Sequence, residues 1–227
     1  MDINSNTWKK MLQDGAKTMN ISLSTEQIQL FTMYTLEIIQ WNKTTNLTRI
    51  TDPTDLAIKH FLDSLALSYE IEKIDTALKD INILDVGSGA GFPGIPIKII
   101  FPSIQITLID SSRKRVSFQK YIIRTLDLKG INSVHTRIED YARDFQNKIF
   151  YDIIVSRAFT NLSDFFSKSK ALLKNNGKIV AMKGKNVQKE IDKFSLKYEF
   201  IMNKTTYTLP LINQERILIT GTKKLLN

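Results

Sequence analysis

The residues best able to do chemistry lie in one run, Ile83-Leu84-Asp85-Val86-Gly87-Ser88-Gly89-Ala90-Gly91-Phe92-Pro93-Gly94. An apolar strand there enters a glycine-rich turn and then a helix, the context of a nucleotide cradle. Lacking side chains, Gly87, Gly89 and Gly91 let the backbone approach a ligand closely and take positive φ without strain. The bland alternative is a tight strand-to-helix turn. Gly89, Gly91 and Gly94 also satisfy G-x-G-x-x-G, which keeps NAD or FAD open. Asp85 discriminates between the cofactors. A carboxylate two residues before the first glycine repels a pyrophosphate but suits the ammonium group in the methionine portion of S-adenosylmethionine. Asp110, ending the next strand, would accept hydrogen bonds from ribose hydroxyls under either reading.

Farther along, Ile138-Glu139 falls where a doubly wound sheet offers another cofactor-lining loop, although Glu139 also reads as an acid favoured at a helix start. Arg157 follows the strand Asp152-Ile153-Ile154-Val155. Ligands of open α/β sheets bind outside the carboxyl ends of strands, and a guanidinium there needs an anionic or carbonyl partner. Arg157 is therefore a candidate catalytic residue. Arg113, Lys114 and Arg115 open a helix, where the macrodipole disfavours cations; RNA phosphate or a solvated face would account for them. Lys183, Lys185 and Arg216 lie near strand ends and extend the same basic surface. The histidines are His60 and His135. His60 and Asp63, one turn apart, form either a pair or ordinary packing, and His135 reads as a core or sheet residue. Ser88 is not in a G-x-S-x-G elbow.

These groups need a scaffold, and the chain supplies an alternating one. Strand-like runs at Ile81–Val86, Ile104–Ile109, Ile131–Thr136, Tyr151–Val155 and Lys178–Met182 are separated by helical segments near 94–101, 112–126, 139–145, 161–173 and 186–193. Such crossovers make a mostly parallel sheet covered on both faces, an α/β Rossmann-like fold. Tyr198–Thr208 and Arg216–Thr222 have only a short Pro-containing link and must pair antiparallel, giving seven strands. Residues 1–75 read as a helical N-terminal extension and 76–227 as the main domain. In the extension, Ser24 with Gln27 forms a capping box before Ile28, Phe31, Tyr34 and Ile38. A helix after Asp52-Pro53 buries Ile58, Phe61, Leu62 and Leu65. These helices have too little core to stand alone and must pack on the main domain.

The bulk numbers agree with one globular unit. The chain has 227 residues, 42% hydrophobic and 24% charged. It has no cysteine, which excludes disulfides, thiolate metal sites and cysteine nucleophiles. No apolar run approaches the roughly 20 residues of a membrane span, and Met1-Asp2-Ile3-Asn4 does not open a secretory signal. A cytoplasmic protein is expected. An excess of 32 Lys and Arg over 23 Asp and Glu, net +9, favours polyanions, although compositional bias would also produce it.

From about residue 37 to the C-terminus the chain resembles the bacterial guanine-N7 methyltransferases of small-subunit ribosomal RNA, also called glucose-inhibited division protein B. The likeness is carried by Trp41-Asn42, Asn46-Leu47-Thr48, His60-Phe61-Leu62-Asp63-Ser64-Leu65 and the loop Asp85–Gly94 continuing into Ile95-Pro96. It continues with Asp110-Ser111, Lys114-Arg115, Ser156-Arg157-Ala158-Phe159, Lys183-Gly184 and Glu215-Arg216. The resemblance implies an S-adenosylmethionine methyltransferase fold and cofactor contacts from Gly87, Phe92, Ile138, Glu139 and Arg157, with Asp110 near the ribose. It also implies a guanine of 16S ribosomal RNA as substrate. A monomer is expected, and no metal, because the sequence has no metal-ligand cluster. Guanine N7 attacks with an aromatic lone pair that carries no proton, so no general base is needed, in keeping with the lack of an acid/base set; positioning and electrostatics suffice. Competing readings are a methyltransferase of another substrate class, a non-catalytic RNA-binding assembly factor and, last, an NAD oxidoreductase.

Overall fold

The computed structural model describes residues 2–74, 77–144, 150–157, 159, 161–194 and 199–224. The expected boundary at residues 75 and 76, Phe145 closing one expected helix, Ala158 after Arg157, and Tyr198 opening an expected strand lie outside them.

The amino-terminal helices are α1 (Asn6–Thr18) and α2 (Thr25–Thr45). Ser24 caps α2 with the expected box: its Oγ accepts the Gln27 amide at 3.2 Å, and its own amide donates to Gln27 Oε1 at 2.9 Å. The next helix opens as α3 (Pro53–Leu56), where Asp52 accepts the Thr54 and Asp55 amides. It widens into a π-helical stretch, Ala57–Leu62, and closes as α4 (Asp63–Leu65), followed by α5 (Ser68–Ile71). Ile58, Phe61, Leu62 and Leu65 are buried as expected.

The alternating region forms β1 (Asn82–Val86), α6 (Gly94–Ile100), β2 (Gln105–Asp110), α7 (Arg113–Thr125), β3 (Ile131–His135) and α8 (Ile138–Asp144). Then come β4 (Tyr151–Ser156), α9 (Leu162–Ser169), β5 (Leu173–Gly184), α10 (Gln188–Asp192), β6 (Phe200–Leu209) and β7 (Gln214–Lys223). The seven strands run in the order β3-β2-β1-β4-β5-β7-β6. β1 to β5 pair parallel, and β7 inserts antiparallel between β5 and β6.

The strand β5 starts earlier than its apolar run suggests. Leu173, expected to close a helix, instead opens the strand and pairs with Tyr151 across a register shift. A Cβ at Gly177 would lie 2.8 Å from the Tyr151 carbonyl oxygen, so glycine permits the close approach there.

One apolar core joins the amino-terminal helices to the sheet: Trp8, Leu12, Phe31 and Phe61 share it with Ile83, Ile95, Ile106 and Val155. Polar contacts reinforce the junction. Gln27 Nε2 donates to the Ile99 carbonyl at the end of α6 at 3.1 Å, and the Tyr34 hydroxyl donates to the Ala90 carbonyl in the glycine loop. The order of strands reverses between β1 and β4, and at such a switch point the diverging loops leave a crevice beyond the carboxyl ends.

Candidate active site

The glycine loop leaves β1 with φ of +69° at Gly87, +61° at Gly89 and +101° at Gly91. A side chain at Gly91 would collide with Ile95 and come within 2.8 Å of the Tyr34 hydroxyl. Gly89 faces open space, so no side chain stands between the loop and a ligand there. Two carboxylates and one amide hold the loop. Asp85, wholly buried, accepts the Gly94 amide on Oδ2 at 2.8 Å. Asp110 accepts the Gly89 amide at 2.9 Å on one oxygen and the Ser112 amide at 2.8 Å on the other. Gln119, buried on α7, donates to Ser88 Oγ at 2.9 Å and to the Gly89 carbonyl at 2.7 Å, while Ser133 Oγ donates to its Oε1 at 2.5 Å. Gln119 was missed in the sequence; its only signal is a polar residue between Val116 and Ile122 on the buried face of α7.

Two cavities open along the carboxyl ends of the strands. The larger, about 450 Å³, is lined by Val86, Gly87, Asp110, Ile138, Glu139 and Phe159, with Lys168 at its wall. Lys168 Nζ lies 2.8 Å from Glu139 and 2.7 Å from Asp164. The hydrogen bond from Lys168 comes first among the influences that lower the Glu139 pKa. The smaller cavity, about 210 Å³, is lined by Leu47, Thr48, His60, the loop Gly87–Ala90, Phe92, Arg115 and Arg157. Gly87 belongs to both. Asp85 lines neither: it sits beneath the loop, with Oδ1 buried and without a hydrogen-bond partner. Burial pushes its carboxyl up to about 7, against the Gly94 amide and Arg157, which lower it.

Arg157 follows β4 and reaches across to the π-helical stretch. Its Nη2 contacts His60 Nδ1 at 2.7 Å; its Nη1 donates to Asp63 Oδ2 at 3.1 Å and, more distantly, to the His60 carbonyl and Ser64 Oγ at 3.4 Å. Its guanidinium carbon stands 5.3 Å from the centroid of Phe92, against which His60 stacks at 4.5 Å. His60 and Asp63 thus converge on Arg157. The π widening carries His60 and ends just before Asp63, a local distortion that recurs at functional sites. Burial first, then the charge of Arg157, lowers the His60 pKa to about 3, so the imidazole is neutral. Asp63 also accepts the Tyr207 hydroxyl at 2.7 Å and lies 3.6 Å from Arg216 Nε.

The expected basic residues separate into groups. Arg113, Lys114 and Arg115 are exposed at the start of α7, and Arg115 also lies 3.6 Å from Asp110. Lys185 is exposed and lines an outer cleft of about 610 Å³ with Lys59 and Arg216. Lys183 departs from the expectation of a phosphate contact. Its side chain is 11% exposed, and its ammonium donates to Glu190 at 2.8 Å and to the Phe159 carbonyl at 2.5 Å, tying down the loop after β4. His135 is an exposed residue of β3, near the Ser111 carbonyl at 3.0 Å.

Residues 27–219 match the family model described as rRNA small subunit methyltransferase G. A protein of Desulforamulus reducens named Ribosomal RNA small subunit methyltransferase G is 37% identical over 212 residues, covering 92% of this chain and 87% of its own. A protein of the same name from a Geobacter species is 34% identical over 215 residues, covering 93% and 95%. Among solved structures, a predicted O-methyltransferase of Agrobacterium tumefaciens superposes with a TM-score of 0.58 at 16% identity, over 72% of this chain and 81% of its own. A SAM-dependent methyltransferase of Aquifex aeolicus gives 0.55 at 16% identity, over 79% and 97%; at these identities the likeness is one of fold. With the family model spanning most of its length and relatives matched nearly end to end, the chain belongs to the rRNA small subunit methyltransferase G family.

Proposed function

We propose that this chain transfers a methyl group from S-adenosylmethionine to N7 of a guanine in 16S ribosomal RNA. The observation that carries the reading is the meeting of two cavities at Gly87, beyond the switch point of the sheet. The larger takes the adenosine half, with Asp110 toward the ribose hydroxyls and Ile138 and Glu139 along the wall; Gly87, Gly89, Gly91 and Phe92 shape the passage to the smaller. The buried, unpartnered Oδ1 of Asp85 fits a cofactor that brings an ammonium group to this loop. The cofactor supplies an electrophilic methyl group on a sulfonium. This chain aligns acceptor with donor, keeps water from the junction and fixes Arg157 beside it.

Arg157 serves both cofactor and acceptor. Lys114 and Arg115 hold RNA phosphate on one side of the opening, and Lys185 with Arg216 on the other. The reading includes a monomer in the bacterial cytoplasm, built as a helical extension of residues 1–75 on a methyltransferase domain of residues 76–227.

The test is transfer of labelled methyl groups from S-adenosylmethionine to small-subunit particles and to stripped RNA, followed by digestion to nucleosides. Labelled 7-methylguanosine, lost in Asp85→Ala, is expected. Cofactor binding without transfer to either substrate would point to another substrate class or to an assembly factor.

A further inference from the structure

The smaller cavity contains a hydroxyl whose hydrogen-bonding sense is fixed by its neighbours. A guanidinium has donors and no acceptor, so the 2.7 Å contact with Arg157 Nη2 makes His60 Nδ1 an acceptor. The imidazole proton therefore sits on Nε2 and is donated to Thr48 Oγ1 at 2.9 Å. The same oxygen accepts the Ile50 amide at 3.1 Å. With both lone pairs engaged, the Thr48 hydroxyl can meet a further partner only as a donor. Thr48 is half-buried and lines the cavity beside Gly87 and Arg157. The rim carries Arg115, preceded on the first turn of α7 by exposed Arg113 and Lys114. A polyanion gripped at that rim presents its bases to the cavity.

We infer that Thr48 is a specificity-determining residue: its hydroxyl donates to O6 of the target guanine and disfavours a base with an amino group at that position. The inference rests on the reading of the chain as a guanine-N7 methyltransferase and deepens it. Guanine places two acceptors, N7 and O6, side by side, whereas adenine places an amino donor beside N7. N7 faces the methyl group, so the adjacent position distinguishes the two purines. A donor locked opposite O6 forms a hydrogen bond; opposite an amino group it leaves two donors facing each other without water, which is how a polar pocket discriminates most strongly.

The experiment compares the unsubstituted chain with Thr48→Val and Thr48→Ser on two RNAs, one carrying guanine at the methylated position and one carrying 2,6-diaminopurine, which keeps N7 but has an amino group in place of O6. Cofactor affinity and melting temperature are measured on each protein. Thr48→Val is expected to bind S-adenosylmethionine normally, to lose roughly three- to tenfold in kcat/KM on the guanine RNA and to lose its preference for guanine over diaminopurine by a similar factor, while Thr48→Ser keeps both. An unchanged preference in Thr48→Val would overturn the inference. So would weakened cofactor affinity with the preference intact, which would assign the hydroxyl to an oxygen of the cofactor. Absence of transfer by the unsubstituted chain would overturn the underlying reading, and this inference with it.

Discussion

Arg157 Nη1 lies 3.1 Å from Asp63 Oδ2, joining the end of the fourth strand to the amino-terminal helices at the mouth of the smaller cavity. Arg157→Lys keeps the charge but cannot reach His60 and Asp63 together from a planar fork. A fall in kcat of roughly a hundredfold is expected, comparable to loss of one preorganised donor, with cofactor binding retained in part. Steady-state kinetics alongside calorimetric cofactor binding check this; wild-type kcat in the lysine variant would remove Arg157 from the site.

Asp63 meets two arginines and a tyrosine while its side chain is only 10% exposed. Burial, followed by the charge and hydrogen bond of Asp63, keeps the Tyr207 hydroxyl protonated well above its ordinary range. Asp63→Ala leaves cations without their partner and is expected to cost about 3–5 kcal/mol, whereas Tyr207→Phe should cost about 1 kcal/mol. Urea denaturation of the two variants gives the ordering, and equal losses would contradict the role of Asp63 as the centre of this cluster.

The pH dependence of stability separates Asp85 from His60. The carboxyl of Asp85 is raised from 3.8 to about 7 in the folded chain, so the folded state holds a proton that the unfolded chain releases, and stability falls as pH rises through that window. His60 is lowered from 6.5 to about 3; its contribution is complete above 6.5 and is lost as pH falls toward 3. The two slopes oppose each other. Removing the first in Asp85→Asn should steepen the rise in stability between about pH 4 and 6.5, as followed by denaturant unfolding at several pH values.

Cofactor binding should reveal the same carboxyl. An ammonium brought near Oδ1 of Asp85 favours the ionised form, so binding near pH 6.5 releases a proton. Calorimetry in buffers of different ionisation enthalpy measures the release. Asp85→Asn should abolish it and weaken binding by roughly tenfold or more; proton release persisting in that variant would place the titrating group elsewhere.

The basic residues give contrasting expectations. Replacing Arg113, Lys114 and Lys185 with alanine should flatten the salt dependence of RNA binding by about one unit of slope for each phosphate no longer neutralised, without lowering the melting temperature. Lys183→Ala should leave that slope unchanged and lower the melting temperature, because its ammonium is engaged with Glu190 and the Phe159 carbonyl.

The features legible in the sequence are those set by periodicity and local chemistry. The apolar runs of β1 to β4, the capping box at Ser24 and the glycine turn are local signals, and the structure contains them nearly where they were expected. Contacts between distant segments left no such signal. The i,i+3 spacing of His60 and Asp63 left a mutual pair or ordinary packing open, whereas Arg157, arriving from a distant strand end, is a partner to both. Lys183 read as part of a basic surface because it lies near a strand end, whereas Glu190 and the Phe159 carbonyl engage its ammonium in space. Gln119 resembled any amide on a helix until the glycine loop came to lie against it.

The shared core beneath these contacts makes the amino-terminal helices part of the folding unit. Trp8, Phe31 and Phe61 complete the same apolar interior as Ile83 and Ile106, and Asp63 holds groups from β4, β6 and β7 together. A chain cut before β1 would lose one wall of its interior as well as the anchor of Arg157. Helices and sheet should therefore melt in a single cooperative transition, with catalytic competence and global stability lost together.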